Sequence, residues 1–289
     1  LGPADGCVTL GTELSLPRSL PTVTYQDSTL LQAKRSYPWP YLGEVSEGDI
    51  ARFAERQRAV YRRVRGCCCS SQWAADSIVS DYGIPRERVH VVGIGRNHDV
   101  PAPPAREWGT PRFLFVGFDW VRKNGDAMVR CFSEVRRVHP DAEIHLVGGH
   151  PEIDAPGVVG HGVISLGDPR GATLLADLYR QATCFVMVSI HEPSATAYAE
   201  AAAAGLPCIG TSEGGSATII GPGGVLVDPS DARAFTQAML HLSDPEVARR
   251  FGALASAHAQ ELTWPRVAER LVRALALPGC DLDGLARFL

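Results

Sequence analysis

Cys184-Phe185-Val186-Met187-Val188-Ser189-Ile190-His191-Glu192-Pro193-Ser194-Ala195-Thr196-Ala197-Tyr198-Ala199-Glu200 is the stretch that sets the fold. Its apolar opening, 184–188, predicts a strand buried on both faces, as strands of parallel sheets are. Residues 189–193 then form the loop at that strand's carboxyl end, where open α/β sheets bind ligands. Ser194 is the expected N-cap of a helix. Ala201 to Ala204 continue that helix, and Gly205-Leu206-Pro207 ends it. Glu192 therefore sits in the loop and Glu200 nearly two turns along the helix. The free backbone N–H groups near Ala195 and Thr196 suit a phosphate. Two separated carboxylates suit sugar hydroxyls, and a nucleotide-sugar carries both groups. The competing reading is a solvated pair of Glu on one helix face, but an exposed helix would not surround Glu200 with so many Ala.

Working outward, Cys208-Ile209-Gly210 predicts a second buried strand. Thr211-Ser212-Glu213-Gly214-Gly215 and Gly223-Gly224-Val225-Leu226-Val227-Asp228-Pro229 follow it. Together with the segment from Ser189 to Pro207, these stretches resemble the donor-binding half of glycosyltransferase family 4, retaining enzymes of the GT-B fold. The family's Glu-x7-Glu element is matched by Glu192 and Glu200. The similarity runs from about Pro21 to about Ala276, dense in the C-terminal half and sparse before it. One departure is that Ser194-Ala195 stands where the family usually has Phe-Gly, which alters how closely the backbone approaches a phosphate.

The resemblance implies an α/β, GT-B architecture: two Rossmann-like, doubly wound parallel-sheet domains facing a cleft. Residues 1–103 would be an acceptor-side N-terminal domain, 104–276 the nucleotide-sugar donor-binding domain, and 277–289 a tail. The chain opens at Leu1 on short strand-like pieces, Cys7-Val8-Thr9-Leu10 and Thr22-Val23-Thr24-Tyr25. Family members carry further strand–helix units ahead of such a point, so the N-terminal domain is expected to be incomplete.

Periodicity supplies the remaining elements. Ser46, with Asp49 as capping-box partner, starts a helix towards Arg65 that carries six Arg. Cys67 to Ser70 and Val89 to Val92 predict strands, with a helix over Trp73 to Tyr82 between them. A Pro-rich linker spans 100–105. Strands are then expected near 112–117, 143–147, 184–188, 207–210 and 224–227, alternating with helices, which implies a doubly wound parallel sheet. Helices from Ser230 onward would cap the second domain.

A second chemical site lies in Val116-Gly117-Phe118-Asp119-Trp120-Val121-Arg122-Lys123-Asn124-Gly125, again after a strand. Only Lys34 and Lys123 are Lys among 28 basic residues, which makes a Lys here conspicuous. A compact ammonium suits a diphosphate, and a neighbouring guanidinium can chelate oxygens bidentately. A solvated basic turn is the plainer alternative. The resemblance places the family's donor-phosphate Lys on Lys123. Phe118 stands where an Arg often follows the Gly, and Arg122 is the expected substitute. The resulting catalytic set is Glu192, Lys123, Arg122 and Asp27, the last at the end of a strand. The donor-binding set is Gly117, Gly148, Ser194, Ala195, Thr196 and Glu200.

Composition bounds the alternatives. The 289 residues suffice for one large core or two smaller ones, and the net charge of −4 argues against a nucleic-acid partner. No apolar run is long enough for a transmembrane helix, and no signal-peptide pattern opens the sequence. The eight Cys, three of them consecutive at 67–69, lack metal-ligand spacing and read as reduced, buried thiols of a cytoplasmic protein. Gly93-x-Gly95 lacks the third Gly of a dinucleotide fingerprint. Asp281-Leu282-Asp283-Gly284 begins like a calcium loop but lacks its closing Glu. No cofactor or metal is expected, since protein cations take the metal's place.

The expected partners are a nucleotide-sugar donor and a glycan, lipid-linked or small-molecule acceptor. The Arg-rich helix reads first as a solvated face. Its alternative is docking on anionic lipid, helped by Tyr37-Pro38-Trp39-Pro40-Tyr41, which would place the protein peripherally at the inner membrane face. Two other functions stay open: a nucleotide-sugar-binding module without transfer activity, and a GT-B-like epimerase.

Overall fold

The computed structural model describes residues 4–14, 16–38, 40–98, 102, 103 and 105–275, except for the side chains of Pro40 and Tyr41. The chain divides into two compact units, residues 1–95 with 262–289, and residues 96–261.

In the first unit the elements run β1 (Cys7–Leu10), β2 (Thr22–Gln26), α1 (Leu30–Ser36), the single turn α2 (Pro40–Gly43), α3 (Glu47–Arg63), β3 (Gly66–Cys69), α4 (Gln72–Ser80) and β4 (Val89–Val91). The four strands pair in parallel in the order β1-β2-β3-β4. Ser46 caps α3 as its sequence predicts, accepting the Asp49 N–H at 3.1 Å, a contact worth about 1 kcal/mol. Alternation along β3 gives the sheet two apolar faces. Cys67 and Cys69 pack with Tyr61, Ile78 and Tyr82 on the α3/α4 side. Cys68 packs on the other side with Val23 and Val92. Burial pushes the Cys67 and Cys68 thiols up to about 12, so they stay protonated, and each Cys among the described residues is free.

In the second unit the elements are β5 (Arg112–Val116), α5 (Gly125–Val138), β6 (Glu143–Val147), β7 (Val158–Gly162), α6 (Pro169–Gln181), β8 (Cys184–Met187), α7 (Thr196–Ala203), β9 (Cys208–Thr211), α8 (Ser216–Ile220), β10 (Gly224–Val227), α9 (Ala232–His241) and α10 (Pro245–His258). All six strands are parallel, in the order β10-β9-β8-β5-β6-β7. From β5 the chain winds outward through β6 and β7. It then returns to β8 on the other side and winds outward again. The switch point of this sheet lies between β5 and β8. Strand β7 escaped the sequence reading because Val158-Val159-Gly160-His161-Gly162, at the sheet edge, has no apolar run.

The last helix, α11 (Trp264–Leu275), departs from the expected domain limits of 104 and 276. Its stripe of Val267, Leu271, Ala274 and Leu275 covers Val23, Cys68 and Val92 of the first sheet, so the chain returns to the first unit instead of capping the second. That face of the sheet is apolar and requires a cover, which the repeat at i, i+4, i+7 and i+8 supplies. Gly95, expected not to belong to a nucleotide fingerprint, faces the backbone N of Trp264 so closely that a Cβ there would overlap it. The tail 277–289, with Cys280 and Asp281 to Gly284, lies outside the described residues, as do Trp39 of the aromatic loop and Val100, Pro101 and Pro104 of the Pro-rich linker. No helix among the described residues is long and apolar enough to cross a membrane.

Candidate functional site

The loops that follow β5, β6, β8 and β9 are tied together at the carboxyl end of the second sheet. After β8, the chain runs beside the β9 loop: Glu192 N–H donates to Glu213 O at 3.3 Å and Gly215 N–H donates to Glu192 O at 2.9 Å. Gly214 adopts φ +97 there, and a Cβ on it would collide with the Glu192 carbonyl, so only Gly fits. The β5 loop joins from the other side of the switch point. Ile190 N–H donates to Arg122 O at 2.8 Å, and Arg122 Nη1 donates to His191 O at 3.0 Å. Gly148, with φ +110, lets the β6 loop press on the Gly117 carbonyl, where a Cβ would overlap. Gly117 and Gly148, both in the predicted donor set, thus meet directly.

These ties gather Lys123, Arg122 and Glu192. Lys123 and Glu192 are buried, 8% and 4% exposed, and the Lys123 ammonium pairs directly with Glu192 Oε2. Arg122 Nη1 lies 3.4 Å from the same oxygen, and Ser189 Oγ donates to it at 3.2 Å. All three bonds converge on Oε2, leaving Oε1 outside them. Burial lowers the Lys123 pKa, the Glu192 carboxylate opposes that shift, and Arg122 adds to it. The site is a partly desolvated cationic pair held by one carboxylate, a setting in which a further anion interacts strongly.

Glu200 does not join that cluster through any bond to it. It lies on the buried side of α7, where the Tyr179 hydroxyl donates to its Oε2 at 3.2 Å. Burial raises its pKa, opposed by His98 and by bonds from Tyr179 and the backbone of Asn97 and His98. Tyr179 was missed in sequence because it falls in the apolar stripe of α6, where it reads as core. A carboxyl whose folded-state pKa is raised costs stability once pH exceeds that pKa, and costs nothing below the ordinary carboxylate range. Glu200→Gln keeps the acceptor oxygen and removes the charge. It should therefore melt higher than the unmodified chain at pH 7, with the gap closing as pH falls to 4. Calorimetric melting at both values checks this. A constant gap would mean that charge burial is not the cause.

Ser194 is not the N-cap. Ala195 holds that position with φ −95 and ψ 117 and makes no side-chain cap bond, because pairing of Glu192 with the β9 loop keeps the chain extended through Ala195. Thr196 becomes the first helical residue, so Ala195 and Thr196 remain at the start of α7 as the sequence suggests. Asp27 lies in the first unit, exposed at the end of β2 and bonded by Ser28 Oγ at 3.2 Å. Among the described residues, no group of three His, Cys, Asp or Glu side chains is placed to hold a metal ion.

Residues 110–244 match the family model described as Glycosyl transferases group 1. The matched segment is a group 1 glycosyltransferase domain. It contains Lys123, Arg122, Glu192, Glu200, Gly117 and Gly148. Among curated relatives, the chain is 32% identical to the D-inositol 3-phosphate glycosyltransferase of Thermobispora bispora, over 68% of this chain and 52% of that protein. It is 25% identical to the mannosylfructose-phosphate synthase of Agrobacterium fabrum, over 91% of this chain and 64% of that one. The chain thus spans between half and two thirds of the length of these curated relatives. Among solved structures, WaaG, a glycosyltransferase involved in lipopolysaccharide biosynthesis, superposes with a TM-score of 0.67. That match has 16% identity and covers 96% of this chain and 79% of that one. The likeness shows the fold, GT-B, with two parallel-sheet α/β units. Strand order and switch point give the group 1 domain the loops on which its candidate residues sit.

Proposed function

We propose that this protein transfers a sugar from a nucleotide-sugar to an acceptor hydroxyl, with retention at the anomeric carbon. The observation that carries the reading is the Lys123–Arg122–Glu192 cluster at the switch point of a group 1 glycosyltransferase domain. In the transfer, the bond from the anomeric carbon to the β-phosphate oxygen breaks and a bond to the acceptor oxygen forms on the same face. The acceptor's proton passes to the leaving phosphate oxygen. Charge grows on the diphosphate as the bond breaks, and Lys123, Arg122 and the first N–H groups of α7 stand to meet it. One unit-charge contact at 4 Å amounts to about 4 kcal/mol at an effective dielectric near 20, before desolvation. Glu192 would hold donor-sugar hydroxyls through Oε1, Glu200 the ribose side, and Gly117 and Gly148 the close approach of backbone to phosphate. Asp27 is assigned to the acceptor side.

The acceptor class is a glycan, a lipid-linked sugar or a small molecule, and the whole reaction is metal-independent in this reading because the two cations take the metal's role. Incubating the protein with UDP-, GDP- and ADP-sugars tests the reaction class. Release of nucleoside diphosphate in the presence of excess EDTA, with the product anomer matching the donor's, is the expected result. Strict dependence on Mg or Mn, or an inverted product, would overturn the cationic-loop mechanism. Conversion of the donor to its epimer would replace transfer altogether.

A further inference from the structure

The first unit carries a groove of about 840 Å³ between α3 and the loop that follows β1. It takes no part in the reading above. Arg18, Arg56, Arg62 and Arg63 line it, against a single carboxylate, Glu13, in a protein whose net charge is −4. Elsewhere on the surface, several Arg side chains are matched to acids one turn away, as in Arg52 with Asp49, Arg137 with Glu134 and Arg249 with Glu246. In the groove, Arg18, Arg56 and Arg62 make no such ion pair or side-chain hydrogen bond among the described residues. Arg56 stands over the ring of Phe53, 5.9 Å from its centroid, and Phe53 is 41% exposed.

The wall opposite α3 is fixed. Gln57 Nε2 donates to Thr12 Oγ1 at 3.2 Å, and the Arg63 guanidinium donates to Leu16 O. The loop after β1 is therefore tied to α3 at two points, and four Arg side chains line the groove between them. Unmatched guanidiniums gathered in one concavity attract an anion that offers several acceptor oxygens, and their planar forks match phosphate geometry. We infer that this groove binds a phosphate monoester, whose dianion is held by Arg18, Arg56 and Arg62 and whose organic part lies against Phe53.

Such a group occurs on free metabolites and on lipid headgroups, and glycerol 3-phosphate separates the two sources because it is also the headgroup of phosphatidic acid. Calorimetry with glycerol 3-phosphate forms one arm. Co-sedimentation with phosphatidylcholine vesicles, with and without phosphatidic acid, forms the other. Each is run on the unmodified chain, on Arg56→Gln/Arg62→Gln, and on Arg249→Gln/Arg250→Gln. The last double variant makes the same charge change on α10, far along the chain. The inference expects binding in at least one arm, weakened tenfold or more by the groove variant and less than twofold by the control. Circular dichroism should show both variants folded, since these Arg side chains are exposed. The arm in which binding appears names the source. Absence of binding in both arms, or equal weakening by both double variants, would overturn the inference.

Discussion

Lys123→Ala is expected to lower the transfer rate by about 10²–10³-fold, the size of loss seen when one preorganised donor to a developing oxyanion is removed. The side chain is buried, directly paired to Glu192 and set at the β5/β8 switch point. Its removal also strands a buried carboxylate. Breaking a buried pair in this way costs up to about 3–5 kcal/mol, moderated here because Arg122 and Ser189 still reach Glu192 Oε2. The single variant should therefore melt lower. Lys123→Ala/Glu192→Gln removes the stranded charge, so it should recover much of the melting temperature while remaining inactive. Steady-state kinetics and thermal melts on both variants separate the two effects. Recovery of activity in the double variant would show that Lys123 matters only as the partner of Glu192.

The two carboxylates should separate in kinetics. Glu192→Gln is expected to reduce kcat by about 10²-fold with little change in donor KM, because under the proposed reaction its contact with the sugar would tighten as positive charge develops there. Glu200→Gln is expected to raise donor KM by about tenfold with kcat nearly kept, because under the proposed reaction Glu200, held by Tyr179 and the backbone of Asn97 and His98, would only bind the ribose. Measuring both constants for both variants decides the matter. Small, equal effects would leave the pair as a structural feature of α7.

What could be read in the sequence was what depends on local period and composition. The buried run 184–188, the breaker at Gly205 to Pro207 and the alternation from residue 112 onward fix a parallel sheet, because each reports a strand or helix by itself. Lys123 stood out through rarity, and its nearness to Glu192 followed from both loops lying at carboxyl ends of strands. What could not be read depends on pairing between distant segments. The cap at Ala195 is set by the β9 loop, 18 or more residues further on. The bond from Tyr179 to Glu200 joins α6 to α7. The return of α11 to the first sheet answers to an apolar face about 200 residues earlier. Strand β7 left no pattern because edge strands need no two-sided burial.

The central claim is that the loops at the β5/β8 switch point bind the diphosphate of a nucleotide-sugar. A crystal structure of the protein with whichever of UDP, GDP or ADP binds most tightly tests it most directly. The account predicts the β-phosphate within hydrogen-bonding distance of Lys123 Nζ and of Arg122, beside the first turn of α7. Diphosphate density elsewhere on the molecule, with the Lys123–Glu192 pair untouched, would contradict it.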